Sequence, residues 1–141
     1  MQCLKVLLIA SVLLGFVVAC RQEPQTRMPK ISVPRQLLAS AAQQQAGAAL
    51  FKEHCRECHG SLSEGRNPRA ARFIPPPPDF SLPYYATVDP AYLFWRIKEG
   101  KRIEPYRSRG SVMPAWGAYL TKKQIWQLVA YIRVRADAGG Q

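Results

Sequence analysis

Acidic side chains are scarce in this 141-residue chain. Nine Asp and Glu stand against twenty Lys and Arg, giving a formal charge of +11 and a pI near 10. Such a chain suits an acidic partner: a protein face, an anionic lipid surface or, least of the three, nucleic acid. Nothing in the pattern supports nucleic acid, because the basic residues are scattered and no basic helix or binding motif stands out. Cysteine is limited to Cys3, Cys20, Cys55 and Cys58. Two lie in an N-terminal leader and two share one motif, so no pair is left for a structural disulfide. Histidine is limited to His54 and His59. The apolar run Val6 to Ala19 has 14 residues, short of the roughly 20 that span a bilayer. What remains is a chain with 48% hydrophobic residues, enough for one small globular domain with appendages.

The most informative stretch is Cys55-Arg56-Glu57-Cys58-His59. It reads C-x-x-C-H, the attachment signature of a c-type haem. Two thiols at this spacing lie over one turn and can add across the two vinyl groups of the porphyrin. The next residue, His59, then falls under the iron, where a neutral imidazole is a good axial ligand. A bare C-x-x-C could also be a redox disulfide or half of a zinc site. The first needs strand–helix–strand patterning around it and the second another ligand pair; neither is present. One covalent haem c is therefore the expected cofactor. Attachment of this kind takes place outside the cytoplasm, in keeping with a secretory leader.

Residues 1–19 read as that leader, with Lys5 as its positive start and an apolar stretch behind it. Its end, Val17-Val18-Ala19-Cys20, resembles the lipobox of bacterial lipoproteins, in which cleavage frees the cysteine for lipidation. Cys20 is then the lipid-bearing residue, and acyl chains rather than a span hold the protein to its membrane. Cleavage removes one charge, Lys5, and leaves +10. The residue after Cys20 is Arg21, not aspartate, which leans towards an outer membrane if the cell has two. Residues 20–39 are polar and basic and carry Pro24, Pro29 and Pro34. They read as a flexible tether with an end-to-end distance of about 24 Å.

The expected folded domain covers residues 40–136, with 137–141 as a disordered tail. Ser40 and Gln43 have capping-box spacing at the start of a helix over Ala41 to His54. Gly47 in its middle is best explained by another helix crossing close by. The partner is the last helix, capped by Thr121 with Gln124 and carrying a wide apolar face from Ile125 to Ile132. Arg133 and Arg135 read as its basic end, favourable for the helix dipole. Between these two, Asp89 and Pro90 open a helix that Gly100 closes.

Taken together, Gly47-x-x-Leu50-Phe51-x-x-x-Cys55-x-x-Cys58-His59-Gly60, the distant Met113-Pro114 and the terminal Leu128-x-x-Tyr131 resemble the monohaem class I cytochromes c. The resemblance implies an all-α class I cytochrome c fold, with first and last helices crossing around one haem. Met113 is the expected second axial ligand. His54 lies on the attachment side, Met1 is removed with the leader, and Met28 is in the tether. His/Met ligation closes the iron and suits electron transfer rather than catalysis. Among Pro75–Pro78 the resemblance makes Pro78 the carbonyl that orients the His59 imidazole, with Pro77 next, and makes Phe80 a residue packed on the haem. The proline run could instead be a polyproline ligand for a partner. Trp95 either donates its indole N–H to a haem propionate or is simply core.

Lys101, Arg102, Arg107 and Arg109 crowd the loop before Met113. They are either a solvated surface or a docking patch that steers an acidic redox partner. The expectation is a membrane-tethered single-electron carrier on the extracytoplasmic side, periplasmic in a Gram-negative cell, acting as a monomer or as one subunit of a complex, with no catalysis of its own. The alternatives are a haem-bearing subunit of a dehydrogenase or reductase and, more remotely, an open-site haem protein.

Overall fold

The computed structural model describes residues 28–62, 65–102 and 104–139. The leader, Cys20 and the first part of the expected tether lie outside them. The secondary structure of the described residues is helical throughout: α1 (Arg35–Ala39), α2 (Ala41–His54), α3 (Arg56–His59), α4 (Tyr84–Thr87), α5 (Pro90–Glu99) and α6 (Lys122–Gly139), with short 3-10 turns at Pro68–Arg72 and Trp116–Ala118. None of these helices is long and apolar enough to cross a membrane.

α6 is the spine. Its stripe of Ile125, Leu128, Val129 and Ile132 is at most 2% exposed, each side chain contributing about 1.5–3 kcal/mol by leaving water. Thr121 and Gln124 close the expected capping box reciprocally, with Gln124 N–H donating to Thr121 Oγ1 at 3.2 Å and Thr121 N–H to Gln124 Oε1 at 2.9 Å. α2 crosses α6 at Gly47, where any Cβ would overlap the Gln127 carbonyl and press on Tyr131. Gln127 Nε2 donates to Gln43 Oε1 at 2.7 Å across the same crossing. α5 starts as its sequence demands, with Asp89 Oδ1 accepting from Ala91 N–H at 2.9 Å. It packs through Phe94, stacked on Trp126 at 4.4 Å.

Three expectations about the ends of the domain are corrected. The tether does not extend to residue 39: Ile31, Val33, Leu37 and Leu38 pack against the core, and α1 lies on α6. Four apolar side chains within eight positions outweigh the prolines around them. Ser40 makes no side-chain cap, because it is also the single linker from α1, and its N–H donates to Leu37 O. The C-terminal segment is not a tail from residue 137, since α6 continues through Ala136 and Ala138, good helix formers, as far as Gly139.

Candidate functional site

The tail of α2 and all of α3 build one wall of a cleft. Phe51, His54, Cys55, Cys58 and His59 line it. The extended Phe73 to Pro78 run forms a second side, and Ser111 to Pro114 with Trp116 a third. Leu128 and Ile132 of α6 and Ile97 of α5 close the interior. The cleft holds about 790 Å³ of space, part of it open to solvent.

The backbone at α3 places the motif's three side chains together. Cys58 and His59 N–H groups both donate to Cys55 O, at 3.2 and 2.9 Å, so the chain turns once between the two thiols. Cys55 and Cys58 are not joined in a disulfide. Burial, then the neighbouring Cys58, pushes the Cys55 thiol up to about 12. A thiol held protonated in this way is a poor disulfide-exchange nucleophile. Among the described residues no group of three or more His, Cys, Asp and Glu converges as a metal site.

His59 is 9% exposed. Its Nδ1 lies 3.1 Å from Pro78 O. A carbonyl only accepts, so Nδ1 is the donor and Nε2 keeps its lone pair. Burial drives the imidazole down to about 4, against the upward pull of the Pro78 bond and helped by Arg135 and Lys101. It is therefore neutral at physiological pH, the form that binds a metal. Pro77, the other candidate carbonyl, accepts from Arg66 Nη1 at 3.2 Å instead. Phe80 lines the cleft, but its nearest described ring partner is the imidazole itself, stacked at 4.6 Å and 25°. Phe80 braces the histidine.

Met113 is half-buried and lines the same cleft. Two backbone features hold it. Lys101 N–H donates to Met113 O at 3.2 Å. Gly100, with φ of 66°, lies so close to Met113 O and Pro114 that a side chain has no room. The C-cap of α5 thus doubles as the mount of the methionine loop.

The remaining candidates separate. Trp95 does not belong to the cleft wall; Ile97 does. The two are 200° apart on α5, so the helix that presents Ile97 turns Trp95 away. Trp95 packs instead under the Arg96 guanidinium, 3.8 Å from its ring centre. Lys101 lines the cleft, whereas Arg102, Arg107 and Arg109 are exposed and do not line it. Burial depresses the Lys101 ammonium; Tyr106 opposes this and Arg96 adds to it.

Three features escaped the sequence reading. Ile74 and Val112 are apolar yet 75% and 57% accessible, and the Gly110 loop, which leads to Val112, approaches Ile74 O. Arg96 is buried beside Tyr92, Trp95 and Tyr106, and its Nε and Nη1 lack hydrogen-bond partners among the described residues. Arg135 is not a surface charge at a helix end but a fully buried one. The available signal was register, for Leu128, Ile132 and Arg135 recur at i, i+4 and i+7 on the buried stripe.

These residues fit a haem. An apolar cleft receives a porphyrin, paired thiols face it, a neutral imidazole with a free Nε2 lines it, and Lys101 lines it with no carboxylate at ion-pair distance among the described residues. Comparison with known proteins agrees. Residues 42–132 match the family described as cytochrome c oxidase, cbb3-type, subunit III. No curated protein matches the chain. Among solved structures, cytochrome c-L from the marine methylotrophic bacterium Methylophaga aminisulfidivorans shares the fold, with a TM-score of 0.51 and 20% identity over 84% of this chain and 78% of that one.

Proposed function

The chain belongs to the family described as cytochrome c oxidase, cbb3-type, subunit III, and from that premise we propose that it is a membrane-tethered one-electron carrier whose haem iron is held between His59 and Met113. Its all-helical fold is that of a class I cytochrome c, and it is a haem-c electron-transfer protein rather than a catalyst. When bound, the haem supplies a ferric–ferrous couple. The chain's own residues do the rest. Cys55 and Cys58 fix the porphyrin covalently. Pro78 and Phe80 keep the His59 ring in one orientation, which is what a transfer step without ligand rearrangement requires. Gly100 and Lys101 N–H hold the loop that offers the Met113 thioether. Phe51, Leu128 and Ile132 keep water from the interior face.

The observation that carries this reading is a neutral, oriented imidazole in the same cleft as two unpaired cysteines and one methionine. Met113→Ala tests it. The variant should keep its covalent pigment, lose the weak near-infrared sulfur-to-iron band of the ferric state and have a lower reduction potential. A band that survives the substitution removes Met113 as the ligand.

Delivery of the electron takes place at the mouth of the cleft. Ile74 and Val112 offer a small apolar centre, and Arg102, Arg107 and Arg109 offer charge that steers an acidic redox protein. The family description names an oxidase subunit, which favours a second reading: permanent residence in a respiratory complex. Co-purification from membranes at high salt supports the subunit, and recovery as a monomer supports the shuttle. The tether is proposed to begin at a lipidated Cys20 on the extracytoplasmic side. Palmitate labelling that is unaffected by Cys20→Ser contradicts it.

A further inference from the structure

Arg135 is the most deeply buried charged residue among those described, with 0% of its surface exposed. Its Nη1 donates to Gly60 O at 2.7 Å, and its Nη2 donates to His59 O at 2.9 Å and to Gly65 O at 3.1 Å. One planar fork thus collects three carbonyls, from the last residue of the haem-attachment motif and from Gly60 and Gly65 beyond it. Its Cζ stands 5.0 Å from the centre of the Phe51 ring, and that ring packs 6.2 Å from the His59 imidazole. Asp79 is an acidic influence on it, but among the described residues no carboxylate lies at ion-pair distance from it. The neighbours on its stripe are Leu128 and Ile132. A leucine in place of Arg135 would complete that stripe without the desolvation penalty that a buried cation carries.

We propose that Arg135 is a positioning residue for electron transfer: it clamps the backbone carbonyls of His59, Gly60 and Gly65, and its fixed positive charge raises the reduction potential of the haem. The inference rests on the reading of His59 as an axial ligand. Guanidinium stays protonated throughout the physiological range, so the charge does not switch on or off. Reduction adds one electron to the iron, drawn from the donor protein, and breaks no bond. A nearby positive charge favours the state with the extra electron, and burial shields that interaction from salt. Arginine rather than lysine suits the position, because only a fork reaches three carbonyls at once.

The test compares Arg135→Gln, which keeps donors but loses the charge, with Arg135→Lys, which keeps the charge but loses the fork. Both are read by spectroelectrochemical titration of the haem-loaded chain. Arg135→Gln should shift the one-electron equilibrium about tenfold towards ferric, about 59 mV. Arg135→Lys should stay within about threefold of the parent while unfolding at a lower denaturant concentration. A glutamine variant with an unshifted potential, or a lysine variant that falls as far as glutamine, overturns the proposal. Should the glutamine variant not mature, Arg135→Met, which also lacks the charge, is read against the same tenfold shift, and an unshifted potential overturns the proposal. The clamp itself is read in the unmodified protein by nuclear magnetic resonance: Arg135 Nη protons should resist exchange with water, and fast exchange contradicts it. A parent protein with no haem spectrum would instead sink the reading of the site, not this inference alone.

Discussion

The two walls of the cleft are built in opposite ways. The attachment wall is helical, and His59 and Gly60 in it are buried. Its histidine is held at the ring by Pro78, on its face by Phe80 and at its carbonyl by Arg135. The methionine wall is a loop with an exposed rim, anchored by one backbone bond from Lys101 and by the close approach of Gly100. The contrast assigns two tasks. In the proposed reading one wall would fix the cofactor and its histidine, and the other would supply a ligand and a docking surface at the place where local opening costs least.

Substitutions can break that asymmetry to different degrees, and the largest effect belongs to the attachment wall. His59→Ala together with Cys58→Ala should leave no covalently held pigment after purification under denaturing conditions, as read by absorbance and intact mass. Next comes Gly100→Ala. It places a Cβ at positive φ against the Met113 and Pro114 backbone and should cost about 1–3 kcal/mol, with weakening of the near-infrared band before the chain unfolds. If stability falls and the band is untouched, Gly100 does not mount the methionine.

A third effect is acid sensitivity. The His59 imidazole is pressed from its ordinary value near 6.5 to about 4 in the fold. Between those values the unfolded chain binds more protons than the folded one, so stability rises with pH across the window and is lost as pH falls through it. In the haem-free chain, where Nε2 carries no iron, denaturant midpoints measured from pH 7 to pH 4 should decline, steepest below about 6.5; a flat profile breaks the claim. The smallest structural effect belongs to the rim. Arg107→Glu with Arg109→Glu should change stability by less than about 0.5 kcal/mol yet slow reduction by an acidic partner at low salt. At high salt the difference should fade.

The sequence made the covalent chemistry and its scaffold legible, and for a physical reason. C-x-x-C-H, the Thr121–Gln124 box and the Asp89–Pro90 start are local patterns, fixed within one turn of chain, and nothing distant competes with them. Gly47 was readable because a missing side chain in a helix has few explanations besides a close neighbour. Ser40 shows the limit: the same pattern as at Thr121 made no side-chain cap, because an unanticipated helix ends on it. Trp95 has two readings in the sequence, propionate donor or core, and its burial at 7% exposed agrees with the second. Arg135 reads in the sequence as a charge complementing the helix dipole, whereas its register with Leu128 and Ile132 puts it inside. Pairings such as Arg135 with Gly60, 75 residues apart, leave no local trace.

The most direct test of the two-wall account is the near-infrared spectrum of the ferric protein before and after adding imidazole. The sulfur-to-iron band should be present at first and vanish as imidazole displaces the Met113 thioether, while the haem stays covalently attached through Cys55 and Cys58. A band absent from the start, or one that persists while imidazole binds, contradicts the account.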